Sequence, residues 1–479
     1  MMIATRPPSS ASRRVAGSFR DPSGYVFQRG TGVYRAIDGD CHHVLDRLST
    51  TGTLGRLMTE RWIVPTWFVE DPDLRAELAS ENPGYCQFLG HRPVEPITYP
   101  CEWTVSMLAD AAIHTLRLQL CLLEADCSLK DASAYNVQFV AGRPTFIDLA
   151  SIERPRRKDL WHALGQFHRM FTFPLLLCRH RAWDLRSYFL AAPGGRSPEE
   201  VARAGGRLGR WRPSWLLDVT LPCLFGRWAS RRGNLDSLPS QAPSQQDPRA
   251  QQWNLRRLRS KLRRLADGYR PRGVWATYSA DCHYDQAAEE AKKAMVREFL
   301  TAGRPDRVVD LGSNSGDYSY LAAECGARVV AVDGDHDALD LLYRRLRREP
   351  AAVSPMVVDV TSPTPGLGFR NAEHLGFFDR VRGDCVLALA LVHHLIVQGN
   401  LSPAAVRDLL FDLTEQDVVV EFVPPSDPMF RRLLMGRTER FGDLRLAAFR
   451  RVFEERFSVL READIPQSRR TLLFLRKRM

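Results

Sequence analysis

The sequence predicts an α/β protein whose C-terminal half is a mostly parallel sheet wrapped by helices. Short β-rich runs recur there at Arg307–Leu311, Arg328–Asp333, Met356–Asp359, Cys385–Ala390 and Val418–Phe422. Helical patterns such as Tyr318–Cys325 and Asp337–Arg347 fall between them, and strands alternating with helices are the signature of parallel βαβ units. Two more strand-like runs, Phe457–Glu462 and Thr471–Arg476, close the chain. At 479 residues the chain also exceeds one ordinary domain, for which ~150 residues is the usual size.

Taken in order, residues 1–24 read as a loose arm, rich in Ser, Pro and Arg without periodicity. Residues 25–236 mix strand-like and helix-like segments and form the first domain. The polar, proline-broken stretch SLPSQAPSQQDPRAQQ then opens a linker region spanning 237–274. Within it Leu255, Leu258, Leu262 and Leu265 fall at helical spacing, with Arg256, Arg257, Arg259, Lys261, Arg263 and Arg264 between them. This is a basic amphipathic helix. Its leucines fit packing on a neighbouring domain, while the charge of segment 249–264 also fits an acidic partner or a membrane surface. The α/β domain occupies 275–479.

Hydrophobic residues make up 44% and charged residues 26%, a globular composition. No apolar run approaches the ~18 to 20 residues of a membrane span. The N-terminus lacks the apolar core of a secretory signal. Ten cysteines are scattered without a C-x-x-C pair, which indicates neither a zinc site nor a disulfide framework. Reduced, mostly buried thiols in a cytoplasmic protein are the expectation. The net charge of +11 is concentrated in one segment: fifteen Arg or Lys face four Asp between Arg207 and Arg272. Elsewhere 52 basic residues balance 52 acidic ones, so there is no strong case for nucleic acid as a partner.

The strongest chemical signal is RVVDLGSNSGDYS at Arg307–Ser319, a buried strand, a glycine-punctuated turn and a helix start. Gly312 and Gly316 let the backbone approach a ligand closely. The dinucleotide pattern G-x-G-x-x-G does not fit, because Asn314 stands at its second glycine and Asp317 at its third. Asp310 at the strand end suits a cationic ligand better than a pyrophosphate. The next strand ends at Asp333, where a carboxylate can accept both ribose hydroxyls. The third ends at Asp359, placed to meet a base edge. Three acids at successive strand tips are far more specific than any one motif.

From about Trp275 onward the chain resembles a class I S-adenosylmethionine-dependent methyltransferase. DLGSNSG is similar to that family's first motif, VVAVDGD to its second and DCVLALALVHHL to the segment after its fourth strand. The resemblance implies a Rossmann-like seven-stranded methyltransferase sheet whose last strands form an antiparallel hairpin, here FSVLREADIPQSRRTLLFL. It implies S-adenosylmethionine as cofactor, with Asp310, Gly312, Asn314 and Gly316 around the methionine part, Asp333 at the ribose and Asp359 at the adenine. The signature [DN]-P-P-[YFW] is absent after the fourth strand, and Pro424–Pro425 follows the fifth, which argues against a nucleobase amine as acceptor.

His393 and His394 follow the fourth strand, at the mouth where a methyl group would be transferred. A near-neutral imidazole suits the base for a hydroxyl acceptor; the alternative is that one histidine caps the helix. Glu421, ending the fifth strand, is a further catalytic candidate, with Asp427 behind it. In-line methyl displacement can also proceed on orientation and water exclusion alone.

In the first domain, LKDASAYNVQFVAGRPTFIDLAS spans Leu129–Ser151. Asp131 and Asn136 have the D-x-x-x-x-N spacing of a kinase catalytic loop, and a hairpin then leads to Asp148. This resembles the catalytic half of the aminoglycoside-phosphotransferase and kinase-like α+β fold. The resemblance implies ATP and Mg2+, with Asn136 and Asp148 as metal ligands only in an active domain; otherwise no metal site is expected. No lysine precedes Lys130, and Gly30–Gly32 is too short for a phosphate loop. Arginine does not simply replace a phosphate-pairing lysine.

Together PCEWTVSMLADAA, LKDASAYNVQF, RPTFIDLASIE, EFVPPSDPM and SRRTLLFL resemble the NoeA-like nodulation proteins. That resemblance implies methyl transfer to a small molecule or to a signalling or surface oligosaccharide. Two rival readings remain: a bifunctional kinase-methyltransferase acting on a glycan, and a non-catalytic nucleotide-sensing scaffold.

Overall fold

The computed structural model describes residues 11–155, 157–209, 211–225, 247–271, 286–434 and 444–478. The first ten residues of the expected arm, most of the 237–252 stretch and the expected domain start near Trp275 lie outside the described residues. The chain divides into two compact units. The first comprises Met1–Cys101, Val105–Arg270 and Gly366–His374; the second comprises Glu102–Thr104, Pro271–Pro365 and Leu375–Met479. No described helix is long and apolar enough to cross a membrane.

The first unit opens with a five-stranded antiparallel sheet of β1 (Arg13–Arg14), β2 (Gly24–Arg29), β3 (Gly32–Ile37), β4 (Thr66–Phe68) and β5 (Gln87–His91), in the order β1-β2-β3-β5-β4. Gly30, at φ 58°, belongs to the tight turn between β2 and β3. The Val105–Glu124 helix is apolar almost all round and buried accordingly. After it come β6 (Ser128–Leu129), β7 (Val137–Val140), β8 (Arg143–Phe146) and β9 (Ile152–Glu153), with β6 paired to β9 and β7 to β8. These ladders hold Asp131, Asn136 and Asp148 on the connecting turns. Segment Gly366–His374 counts with this unit although it lies far along the chain. Its His374 ring stacks on Tyr135, centroids 4.1 Å apart, and its Glu373 pairs with Arg20 at 2.7 Å.

The second unit is a seven-stranded sheet of β10 (Arg307–Leu311), β11 (Arg328–Asp333), β12 (Val353–Val357), β13 (Gly383–Ala388), β14 (Thr414–Phe422), β15 (Phe457–Asp464) and β16 (Thr471–Lys477). Its order is β12-β11-β10-β13-β14-β16-β15, with β16 antiparallel to both neighbours and the pairs from β12 to β14 parallel. Both faces are buried, as parallel sheets require. Val308, Val329 and Ala331 join one apolar cluster, while Val309, Leu311, Val330 and Val332 join the other. The third strand starts three residues earlier and ends two residues earlier than the sequence pattern suggested, and Val353–Val357 contains Pro355. A proline lacks the ladder N–H, but β12 is an edge strand and tolerates it. Asp359 therefore stands in the loop after the strand rather than at its tip. The fourth strand ends at Ala388, so Leu389–Leu391 form the turn before the His393 helix.

Candidate functional site

Strand β10 lies between β11 and β13, where the strand order reverses, and crevices outside the carboxyl ends of such strands bind ligands. The turn after β10 is built for close approach. Gly312 has φ 71° and Gly316 φ 86°, both left-handed. A Cβ on Gly312 would come within 3.2 Å of Leu391, and one on Gly316 within 2.4 Å of Leu342. Asn314 takes φ 48°, a conformation asparagine tolerates better than most residues. The Gly312 and Ser313 N–H groups both donate to the Val332 carbonyl, at 2.8 and 3.1 Å, which ties the turn to β11.

Asp310 is buried, and one of its oxygens accepts the Ser319 hydroxyl at 2.6 Å. Burial pushes its carboxyl up to about 6 against that hydrogen bond, and the Asp333 charge adds to the push. Asp333 accepts the Asn314 N–H at 2.9 Å on one oxygen and the Asp335 N–H at 2.7 Å on the other. Burial raises this carboxyl too, while those N–H donors oppose the rise. Asp359 is exposed, and its Oδ1 accepts both the N–H and the hydroxyl of Thr361, at 2.9 and 2.7 Å. A Cβ on Gly334 would touch the Asp359 side chain at 3.8 Å, so Asp359 stands beside the Asp333 strand end.

The two histidines differ sharply. His393 is 3% exposed, and its Nδ1 has no hydrogen-bond partner. Burial, His394 and the Arg470 charge hold the imidazole well below its ordinary value, so it is neutral. His394 is half-buried and shares a hydrogen bond with the Gln398 amide oxygen at 3.1 Å. Burial lowers it as well, against the Gln398 hydrogen bond.

Glu421, the further catalytic candidate, sits in a network of charges. It is fully buried and bonded by the Lys292 ammonium at 2.6 Å, the Arg470 guanidinium at 3.0 Å and the Ala390 N–H at 2.9 Å. Burial would raise its carboxyl, yet the charges of Lys292 and Arg470 outweigh it and hold the group down to about 2. A carboxylate this acidic, with both oxygens occupied, is a poor proton acceptor; it anchors an ion network instead. Arg470 also donates to Asp427, at 2.8 and 3.3 Å. Two acids and two bases thus balance within the interior, beside the unpartnered His393 nitrogen.

In the first unit, Asp148 accepts the Arg35 guanidinium at 2.7 Å. Asp131 accepts the Ser133 N–H at 2.7 Å, and burial raises its carboxyl, with the Asp148 and Asp21 charges adding. The Asn136 side-chain nitrogen is buried without a partner. Lys130 bonds Asp21 at 3.1 Å and Ser23 at 2.8 Å. Among the described residues no group of three His, Cys, Asp or Glu side chains is gathered to hold a metal.

Sequence reasoning missed Lys292, Arg470 and Arg35. The signals were thin: Lys292 is one of six lysines, Arg470 sits in the turn between the last two strands, and Arg35 interrupts the buried end of β3.

The chain is 34% identical over 467 residues, covering 96% of it, to nodulation protein NoeA of Rhizobium meliloti (strain 1021), of which 95% is matched. A stretch of 92 residues, 16% of this chain, is 39% identical to 37% of cypemycin N-terminal methyltransferase from Streptomyces sp. Among solved structures, N-methyltransferase NodS of Bradyrhizobium japonicum WM9 is similar at 13% identity over 41% of this chain and 99% of its own, with a TM-score of 0.31. No family model matches the chain.

Proposed function

Because the chain belongs to the NoeA family of nodulation proteins, we propose that its second unit is a Rossmann-like class I methyltransferase domain acting on a small-molecule or oligosaccharide acceptor. The observation that carries this reading is the set of three carboxylates, Asp310, Asp333 and Asp359, around a turn whose Gly312 and Gly316 take left-handed backbone angles. S-adenosylmethionine, when bound, supplies an activated methyl group and brings positive charge to this acidic rim. The residues fit it. Asp310 offers a buried carboxylate whose ionisation a cation favours, and the Gly312, Asn314 and Gly316 backbone admits the methionine part. Asp333 keeps a lone pair on each oxygen for the ribose hydroxyls, and Asp359 keeps Oδ2 for the adenine edge. The neutral His393 ring, with its Nδ1 buried and unpartnered, would orient the acceptor once binding uncovers that nitrogen.

Calorimetric titration with S-adenosylmethionine tests the proposal. Asp333→Ala should weaken binding by about 1.5–3 kcal/mol, the range for losing hydrogen bonds to a charged group. Unchanged affinity in a folded Asp333→Ala protein would remove the ribose assignment. The wild-type affinity should be flat above pH 7 and fall ~tenfold per unit once Asp310 protonates below about 6. The sign follows from its raised value: the charged form binds the cation, and acid removes it. In Asp310→Asn that acid limb should weaken, leaving the part that Asp333, also raised by burial, contributes.

A second reading, a kinase-like first unit that phosphorylates a glycan before methylation, draws on the unpartnered Asn136 amide and the raised Asp131 carboxyl. Mg2+ would meet Asn136 and the one Asp148 oxygen not on Arg35, and ATP would meet Arg35 where kinases carry lysine. The Arg35–Asp148 pair favours the alternative, a unit that presents the acceptor. ATP hydrolysis that disappears in Asp148→Asn would decide for phosphotransfer.

A further inference from the structure

The Arg249–Asp267 helix carries a face that the proposed chemistry does not use. Leu255, Leu258, Leu262 and Leu265 are buried, and the helix packs on Val105–Glu124 within the first unit. Lys261 and Arg257 share the buried Asp218, at 2.5 and 2.6 Å. The outward face is different. Arg256, Arg263 and Arg264 are exposed and Arg259 is half-buried. Arg256, Arg259 and Arg263 follow at intervals of three and four, so they form one stripe along the helix. Arg117, exposed on the neighbouring helix, lies over the Trp62 ring at 4.8 Å and acts on the same cluster.

Among the described residues no carboxylate pairs with Arg256, Arg259 or Arg263. Burial and the charges of Arg263, Arg117 and Arg256 all work against the Arg259 charge, and like charges at helical spacing cost stability. Trp253 stands on the same face, three residues before Arg256, and is 66% exposed. From Trp253 to Arg263 the row runs ~15 Å along the helix, long enough to meet several anionic headgroups at once and more than a small ion needs. An exposed tryptophan among arginines is the composition of a helix lying in a lipid interface. The leucines are already committed to the protein interior, so contact would be superficial, through headgroups, the Trp253 ring and the arginine stems. We propose that this face docks the protein on an anionic membrane surface.

Co-sedimentation of the full chain with phosphatidylcholine vesicles, with and without phosphatidylserine, tests this. Binding should require phosphatidylserine and decline with added salt. The triple variant Arg256→Gln/Arg259→Gln/Arg263→Gln should bind about a hundredfold more weakly, from about fivefold per arginine near an anionic leaflet. The matching triple arginine-to-lysine variant should retain binding, and Trp253→Ala should lose several-fold even where salt has weakened the charge contribution. S-adenosylmethionine affinity should stay unchanged in all of them, which separates this inference from the methyltransferase reading. Equal binding to neutral vesicles would overturn it, as would a folded triple-Gln variant with wild-type affinity. Preference for an oligonucleotide over anionic vesicles would overturn it in favour of nucleic acid. Should the triple-Gln variant not fold, the salt and lipid dependence of the wild type decides alone.

Discussion

Glu421→Gln is expected to destabilise the second unit by about 3–5 kcal/mol, the cost of stripping one partner from a buried ion pair. The substitution keeps the side-chain volume and removes the charge that neutralises Lys292 and part of Arg470, both buried with it. Asp427 remains, but it is already taken by Arg470 and the Met429 N–H. A thermal melt should show a loss on the order of 10 °C for a unit of this size. The acid dependence has a definite sign. The Glu421 carboxyl is held from 4.5 down to about 2, so its contribution is complete above the ordinary carboxylate range and is lost as pH falls toward 2. The gap between wild type and variant should therefore narrow across that window. Removing the opposing charge as well, in Glu421→Gln/Lys292→Met, should recover part of the stability. A loss under about 1 kcal/mol at pH 7 would show that the network is not what holds this corner together.

His393→Ala should reduce methyl transfer about a hundredfold, at the low end of the 10²–10⁴ range for a lost general base. Two observations set that lower end. The imidazole is held well below its ordinary value, so it accepts a full proton reluctantly, and the nearby Arg470 and Lys292 charges oppose the imidazolium. Its Nδ1 is unpartnered but buried, so it can hydrogen-bond an acceptor hydroxyl and set the angle of attack only once binding uncovers it. His394→Ala should stay within about threefold of wild type, because that ring is already engaged with Gln398. Turnover with a labelled methyl donor, compared with donor affinity, reads the difference. His393→Ala with lost turnover and intact affinity supports a role at the acceptor. Both variants within threefold would assign the rate to orientation and water exclusion.

Much of the second unit was legible. The runs Arg307–Leu311 and Arg328–Asp333 match β10 and β11 residue for residue, because fully buried parallel strands are continuous apolar runs with a sharp polar edge. The left-handed turn announced itself through Gly312 and Gly316. Asp359 was placed less well, since the edge strand ends at Val357 and leaves it in a loop. The first unit was harder: its strands are short, and segment Gly366–His374 counts with it, which no local pattern reports.

By itself, then, the sequence determined the parallel strands, the glycine turn, the acids Asp310 and Asp333 at the strand ends and the leucine stripe of the basic helix. Each is a local matter of periodicity or backbone freedom, written within a few residues. Only the tertiary structure decided that Glu421 is held between Lys292 and Arg470, that Arg35 faces Asp148 and that the His393 Nδ1 is buried without a partner. Those outcomes rest on distances between side chains far apart in the chain, and on burial that magnifies every charge among them.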